Sequence, residues 1–114
     1  MAYQRIMEDA ATGKVEMQLA DGSGRLRYLD NDLTLYEQGY ERFSVIGDDP
    51  DTTTGETEWY FELSRNGWQV RTETKTKLTS DAGDFRISAR MRAWEGDTLV
   101  EDLTWEETMP RDFQ

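Results

Sequence analysis

The chain has 114 residues, with 24 acidic and 13 basic side chains that give a net charge of −11, and it contains neither Cys nor His. This length suits one domain that can bury about two-thirds of its unfolded surface. The missing residue types exclude disulfides, thiolate metal sites, Cys nucleophiles and His-based catalysis. The negative charge disfavours nucleic-acid backbones, and no segment approaches the roughly 20 apolar residues of a membrane span. We therefore expect neither nucleic acid nor a membrane as partner.

The first half of the chain carries short alternating patterns separated by turn residues. Alternation of apolar and polar side chains predicts short strands at 15–19, 26–28, 33–35 and 40–46. The segments 21–24 and 30–32 are predicted turns. The acidic segment 48–55 is predicted to be the longest loop. Its spacing does not match the Ca²⁺-binding loop of an EF-hand, so we predict no metal site and no cofactor.

The second half contains a well-defined hairpin signal. Asn66 and Gly67 form the dipeptide that best suits a two-residue turn in which both residues adopt positive φ. On one face this turn pairs Arg65 with Trp68, Leu63 with Val70, Phe61 with Thr72 and Trp59 with Thr74. On the other face it pairs Glu62 with Arg71, Glu58 with Lys75 and Glu56 with Lys77. The apolar pattern and the charge pattern therefore favour the same register.

Two further hairpins are predicted towards the C-terminus, with turns at 80–83 and 95–97. The first is expected to pair Leu78 with Phe85, Thr76 with Ile87 and Glu73 with Arg90. The second is expected to pair Ala93 with Leu99, Ala89 with Leu103 and Ile87 with Trp105, which places Glu101 opposite Met91. The result is a C-terminal meander of four strands with one apolar face.

The expected fold class is all-β and antiparallel. Residues 1–12 are predicted to be an arm or a short helix, and 13–114 a single domain. Because the apolar face of the meander needs a cover, we expect the N-terminal strands to supply it. That arrangement gives a two-sheet, jelly-roll-like sandwich or a flattened barrel.

Several segments, taken in order, resemble the C-terminal β-domain of X-Pro dipeptidyl-peptidase-like and cocaine-esterase-like serine hydrolases. They are 9–13 (DAATG), 56–59 (ETEW), 68–74 (WQVRTET), 78–82 (LTSDA), 85–89 (FRISA), 93–97 (AWEGD) and 105–113 (WEETMPRDF). The resemblance implies a jelly-roll-like accessory domain that packs against a catalytic α/β-hydrolase domain. The chain has no G-x-S-x-G motif and no His, so the resemblance transfers no catalytic residue to it.

Two groups of residues are candidates for binding, and none is a catalytic candidate. A ligand or partner surface is predicted at Tyr60, Arg86, Arg90, Arg92 and Trp94. The alternative is that these arginines form cross-strand ion pairs and the aromatic rings pack beneath loops. A cavity lining is predicted at Trp59, Phe61, Thr72, Thr74 and Thr76, because inward hydroxyl groups suit a lined cavity; threonine is also an ordinary strand residue.

Two functions follow as hypotheses. The first is a noncatalytic interaction module that acts by forming a homodimer or by docking on an enzyme. The second is a small barrel that binds an apolar small molecule and either only holds it or also acts on it. The N-terminal residues lack the basic and apolar regions of a signal peptide, so we expect a cytoplasmic location.

Overall fold

The computed structural model describes residues 2–111, which form seven β-strands and no helix. The strands are β1 (Tyr3–Asp9), β2 (Lys14–Tyr28), β3 (Leu33–Ile46), β4 (Asp49–Arg65), β5 (Trp68–Ser80), β6 (Asp84–Glu95) and β7 (Thr98–Pro110). They lie in one antiparallel sheet in chain order. The all-β antiparallel class and the C-terminal four-stranded meander, β4 to β7, are therefore confirmed.

The second layer that we expected is not found among the described residues. The strands β1 to β3 extend the same sheet beyond β4, and the sheet does not close into a barrel. The connections explain this outcome, because each contains only two to four residues. Such short connections place a strand beside its predecessor and cannot cross to another layer.

The hairpin between β4 and β5 has the predicted register. Asn66 and Gly67 have φ values of 48° and 81°, as a two-residue turn of this type requires. Arg65 pairs with Trp68, and every predicted pair up to Glu56 with Lys77 is present. Local turn chemistry and cross-strand patterning are thus sufficient to fix this part of the sheet.

The registers of the last two hairpins differ from the prediction by two residues. Ser80 pairs with Phe85, because the Asp81 carboxylate accepts hydrogen bonds from the Gly83 and Asp84 amides, both at 2.9 Å, and tightens the turn. The observed pairs are Leu78 with Ile87, Thr76 with Ala89 and Glu73 with Arg92 in the first hairpin, and Ala93 with Glu101, Met91 with Leu103 and Ala89 with Trp105 in the second.

The register of the β6–β7 hairpin is shifted for a different reason. A two-residue turn pairs Glu95 with Thr98, and an irregularity between Ala93 and Trp94 then inserts an extra residue in β7. Glu101 therefore lies opposite Ala93 and not opposite Met91. From Glu101 onward, the shift of two residues leaves the side chains of β7 on their predicted faces. Leu99, before the irregularity, lies opposite Trp94 on the polar face and not opposite Ala93.

Three predictions for the N-terminal half were wrong. The predicted arm or helix is β1, and the loop predicted at 48–55 belongs to β4 from Asp49 onward; Met1 lies outside the described residues. The predicted turn at 21–24 is a bulge within β2. There the Gln38 side chain, only 3% exposed, donates a hydrogen bond of 2.8 Å to the Asp21 carbonyl oxygen. A side chain of β3 thus satisfies a backbone acceptor at the bulge of β2.

The two faces of the sheet differ sharply in composition. We call the face that carries Leu35, Trp59, Val70, Met91 and Leu103 the apolar face. The opposite face, which carries Tyr36, Glu58, Lys75, Arg90 and Thr104, is the polar face. Ala20 is the only apolar side chain among the described residues that is buried. The sheet is therefore a single layer without a core of its own.

Candidate functional site

The centre of the apolar face is built on a glycine. Gly39 of β3 lies opposite Trp59 of β4, which lies opposite Thr74 of β5. A Cβ atom at Gly39 would come within 2.6 Å of the Trp59 ring. The missing side chain thus allows the indole to lie against the backbone of the neighbouring strand.

Large apolar side chains on this face remain exposed to solvent. Trp105 is 50% exposed and Trp68 is 47% exposed. Seven further large apolar residues of the face are at least 38% exposed, namely Ile6, Leu26, Tyr28, Phe43, Phe61, Leu103 and Met109. They occupy five of the seven strands, so the exposed surface is broad and continuous and is not a set of isolated residues.

The apolar face also carries acidic residues without matching bases. Glu37 and Glu41 lie on either side of Gly39 on β3, and both are half-buried. Neither forms an ion pair with another described residue. Strand alternation places only one Lys or Arg of the seven strands on this face, Arg65, at the tip of β4.

The predicted cavity residues Trp59, Phe61, Thr72, Thr74 and Thr76 come together on the apolar face. They occupy adjacent positions of β4 and β5 and form a strip of this open surface. A separate open groove of about 560 Å³ lies at one end of the sheet. Its apolar lining comes from Val15, Met17, Phe43 and Val45. The position of this groove was not predicted.

The polar face is covered by ion pairs between strands. Arg42 of β3 reaches Glu56 at 2.7 Å and Glu58 at 3.5 Å, both on β4. The hydrogen bond from Arg42 lowers the pKa of Glu56 below its usual 4.5, against the opposing effect of desolvation. Burial tends to raise the pKa of Glu73, but hydrogen bonds and charge from Arg92 and Lys75 outweigh it and lower the pKa overall.

The predicted partner surface lies on this polar face. Arg90 donates two hydrogen bonds to Asp102, at 3.0 and 2.8 Å, and Arg92 pairs with Glu73. Arg86 instead pairs with Asp81 in the turn before β6. Cross-strand ion pairs, the alternative reading, therefore describe Arg90 and Arg92, whereas the ion pair of Arg86 is local to the turn.

The two aromatic members of that surface are also engaged. The guanidinium groups of Arg71 and Arg92 lie 4.4 and 5.1 Å from the ring of Trp94. The Tyr60 hydroxyl donates a hydrogen bond of 2.9 Å to Glu58. Burial, together with that hydrogen bond, raises the pKa of Tyr60 to about 12. Tyr60 and Trp94 are thus held within the network of the polar face.

The polar face also has depressions between its charged side chains. A depression of about 320 Å³ is rimmed by Glu58, Lys75, Lys77, Arg90 and Glu106, whose charges are interleaved. Among residues 2–111, no three acidic side chains are grouped closely enough to hold a metal ion. That described part also contains no helix that could cross a membrane.

Sequence reasoning missed the unpaired glutamates and the central glycine of the apolar face. The signal was available, because Leu35, Glu37, Gly39, Glu41 and Phe43 are spaced two residues apart and must share a face. The predicted separation of 33–35 from 40–46 into two strands hid this continuity. Only the observed single strand β3 brings these residues together.

Comparisons with known proteins identify no relative. No protein-family model, no curated protein and no solved structure matches the chain.

Proposed function

We propose that this chain is a noncatalytic interaction module that binds a macromolecular partner through its apolar face. The observation that carries the proposal is the open apolar face of a sheet that has no core. A sheet with one apolar face is stable when another layer covers that face. The described residues supply no such layer, so the cover has to come from elsewhere.

The surface area indicates how large that cover is. The chain exposes 7971 Å², whereas a compact monomer of 13.3 kDa exposes about 6,450 Å². The excess is about 1,500 Å² on this chain alone. A partner that loses a similar area would complete an interface of about 3,000 Å², which is in the range of permanent complexes.

The shape agrees with the area. The radius of gyration is 18.1 Å, compared with about 13 Å for a compact domain of this length. The molecule extends 52 Å along its longest axis and 23 Å along its shortest. A flat surface of these dimensions suits a protein partner better than a small ligand, which binds in concave pockets.

The resemblance to the accessory β-domain of serine hydrolases agrees with this proposal in role but not in fold, because the described residues form one sheet and no jelly roll. In those enzymes, the similar domain packs against a catalytic domain and supplies no catalytic residue. Docking on an enzyme is therefore one form that the interaction could take. The absence of Cys is consistent with the reducing cytoplasm, where we propose that the module acts.

A matched pair of tryptophan variants tests the proposal. Trp105 lies on the apolar face and Trp94 on the polar face, on neighbouring strands. Wild type and Trp94→Ser should enhance the fluorescence of a dye that binds apolar surfaces, and Trp105→Ser should enhance it much less. The pure chain should also hydrolyse aryl esters and X-Pro amides no faster than buffer.

Two results would contradict the proposed function. Equal dye binding by the two variants would place the accessible apolar surface elsewhere and contradict the proposal. Hydrolysis above the buffer rate that survives repeated purification would contradict the noncatalytic role. Circular dichroism of each variant controls for loss of the fold.

The groove at the end of the apolar face supports a second candidate function. Its volume of about 560 Å³ is within the range of small-molecule sites, about 300–1,000 Å³. An apolar ligand could bind there as the main activity of the chain. Saturable binding of one dye molecule per chain, abolished by Val45→Asp and unaffected by Trp105→Ser, would favour this function.

A further inference from the structure

The charge of the apolar face restricts the partner that can cover it. Glu37 and Glu41 lie near the middle of the face, and Glu8, Glu101 and Glu107 lie on the two edge strands. The opposing base on the seven strands is Arg65, which lies at the sheet tip. A covering surface would therefore desolvate carboxylates that form no ion pair with any residue of 2–111.

A second copy of the chain fits this face poorly. Two apolar faces packed against each other would bring their glutamates together and would provide almost no basic residues between them. Burying an unpaired carboxylate is unfavourable, and facing like charges add to that cost. The glutamates therefore act against self-association through this face.

We propose that the apolar face is covered by a basic amphipathic helix of a partner protein. This inference rests on the proposed function and specifies the partner for the same face. Apolar side chains of the helix would contact the exposed aromatic residues. Lys or Arg side chains on its flanks would pair with Glu37 and Glu41.

The sizes of the side chains across the apolar face suit a helix. Apart from Met91, the apolar-face side chains in the middle of β5 and β6 are small, at Thr72, Thr74, Thr76, Ala89 and Ala93. Phe61 on β4 and Leu103 and Trp105 on β7 border a channel above β5 and β6, and the Trp59 indole lies over Gly39 of β3, outside that channel. Three strand spacings separate β4 from β7, about 14 Å, and a helix with its side chains is about 10–12 Å wide.

The glutamates are placed on both sides of this channel. Glu37 and Glu41 lie on β3, next to β4, and their Cα atoms are about 13 Å apart along the strand. Two basic residues seven or eight positions apart on a helix are separated by about 10–12 Å, so long Lys or Arg side chains can reach both carboxylates. Glu101 and Glu107 offer similar contacts on β7.

Designed peptides of opposite charge provide the test. The basic probe is a labelled helix of about 18 residues, five turns, with Leu on one face and Lys on the other; the acidic probe has Glu at each Lys position. Fluorescence anisotropy should show binding of the basic probe to wild type and no comparable binding of the acidic probe. Sedimentation should show a monomeric chain.

Two double variants separate specific pairing from general attraction to an acidic protein. Glu37→Gln with Glu41→Gln neutralises the apolar face, and Glu16→Gln with Glu106→Gln removes the same charge from the polar face. The first should weaken binding of the basic probe at least about tenfold. The second should change it by no more than about twofold.

Four results would contradict the proposed helix. Equal affinity for both probes, equal losses in the two double variants, or no binding of the basic probe would overturn the proposal. A wild-type dimer that shields Trp105 from a collisional quencher would identify a second copy as the occupant and would also overturn it. If the dye still binds the apolar face of the monomer, the proposed function survives these failures, so the two conclusions are tested separately.

Discussion

The two faces of this sheet are built on the same seven strands but are completed in different ways. On the polar face, acids, bases and aromatic rings are paired within the chain, as Arg42 is with Glu56 and Arg92 with Glu73. On the apolar face, Trp105 and Trp68 are about half exposed, and Glu37 has no opposing base. The polar face therefore stabilises the sheet through contacts within the chain. The apolar face would stabilise the fold further only when a partner covers it.

This difference has a consequence for the free energy of folding. Exposed ion pairs contribute about 0–1 kcal/mol each, whereas apolar burial contributes about 25 cal/mol per Å². Covering the apolar face offers the larger gain, although binding costs reduce it. We expect the isolated chain to be of low stability and strongly stabilised when its face is covered.

Acidification should disrupt the polar face as a whole and gives the largest expected effect. The pKa values of Glu56, Glu73, Asp81 and Asp102 are lowered in the folded chain. Groups with lowered pKa values stabilise the fold fully above their unfolded values, 4.5 for Glu and 3.8 for Asp. That stabilisation is lost as the pH falls below these values and through the folded ones.

Urea unfolding followed by circular dichroism between pH 7 and pH 3 measures this loss. The midpoint should stay nearly constant down to about pH 5 and then fall. Glu56→Gln removes one of the responsible groups and should flatten the fall. A midpoint that rises below pH 4 would show that the polar-face pairs do not stabilise the sheet.

Gly39→Ala is expected to have the next largest effect, on the apolar face. The new Cβ atom would lie 2.6 Å from the Trp59 ring, so the indole must move away from the backbone of β3. We expect a loss of about 2 kcal/mol in the free energy of unfolding. Chemical denaturation, with Trp fluorescence as the signal, gives both the energy and the change around the indole.

Gly55→Ala is the matched control. Gly55 also lies on the apolar face of a central strand, but a Cβ atom there meets the Phe43 ring at 3.4 Å, which is a tight but tolerable contact. This substitution should cost less than Gly39→Ala by about 1 kcal/mol or more. Equal losses would mean that the position of Trp59 does not depend on the missing side chain.

The sequence predicted those features that depend on local chemistry. The Asn66-Gly67 turn and the alternating charges around Glu58 and Lys75 were enough to define the β4–β5 register. The register errors at Asp81 and Glu101 came from a side-chain cap and an inserted residue, which alternation does not reveal. Beyond the turns, both errors preserved the faces, because the side-chain period of a strand is two residues; the exception is Leu99, which the inserted residue places on the polar face.

The missing second layer could not be predicted in the same way. The prediction assumed that an apolar face must be covered from within the chain. The lengths of the connections decide against this, and those lengths became clear only when 21–24 proved to be a bulge and 49–55 part of a strand. The unpaired Glu37 and Glu41 could be located only once β3 was known to be continuous.

The smallest expected effect concerns a single ion pair of the polar face. Arg42→Met leaves Glu56 and Glu58 without their shared base, so the two carboxylates repel each other across one position of β4. Because the Arg42 side chain is 40% exposed and that of Glu56 33% exposed, solvent screens the interaction. We therefore expect a loss of only about 0.5–1 kcal/mol at neutral pH.

Two further measurements distinguish this loss from a loss of packing. The effect of Arg42→Met should shrink at high salt, and also at low pH, where Glu56 becomes protonated. Arg65→Met, which removes an exposed base with no ion pair among the described residues, should change stability by less than about 0.5 kcal/mol. If Arg42→Met were as costly at high salt as at low salt, the Arg42 side chain would stabilise the sheet by packing over it and not by its charge. Packing would then stabilise both faces, and the contrast between them would be smaller than their charges indicate.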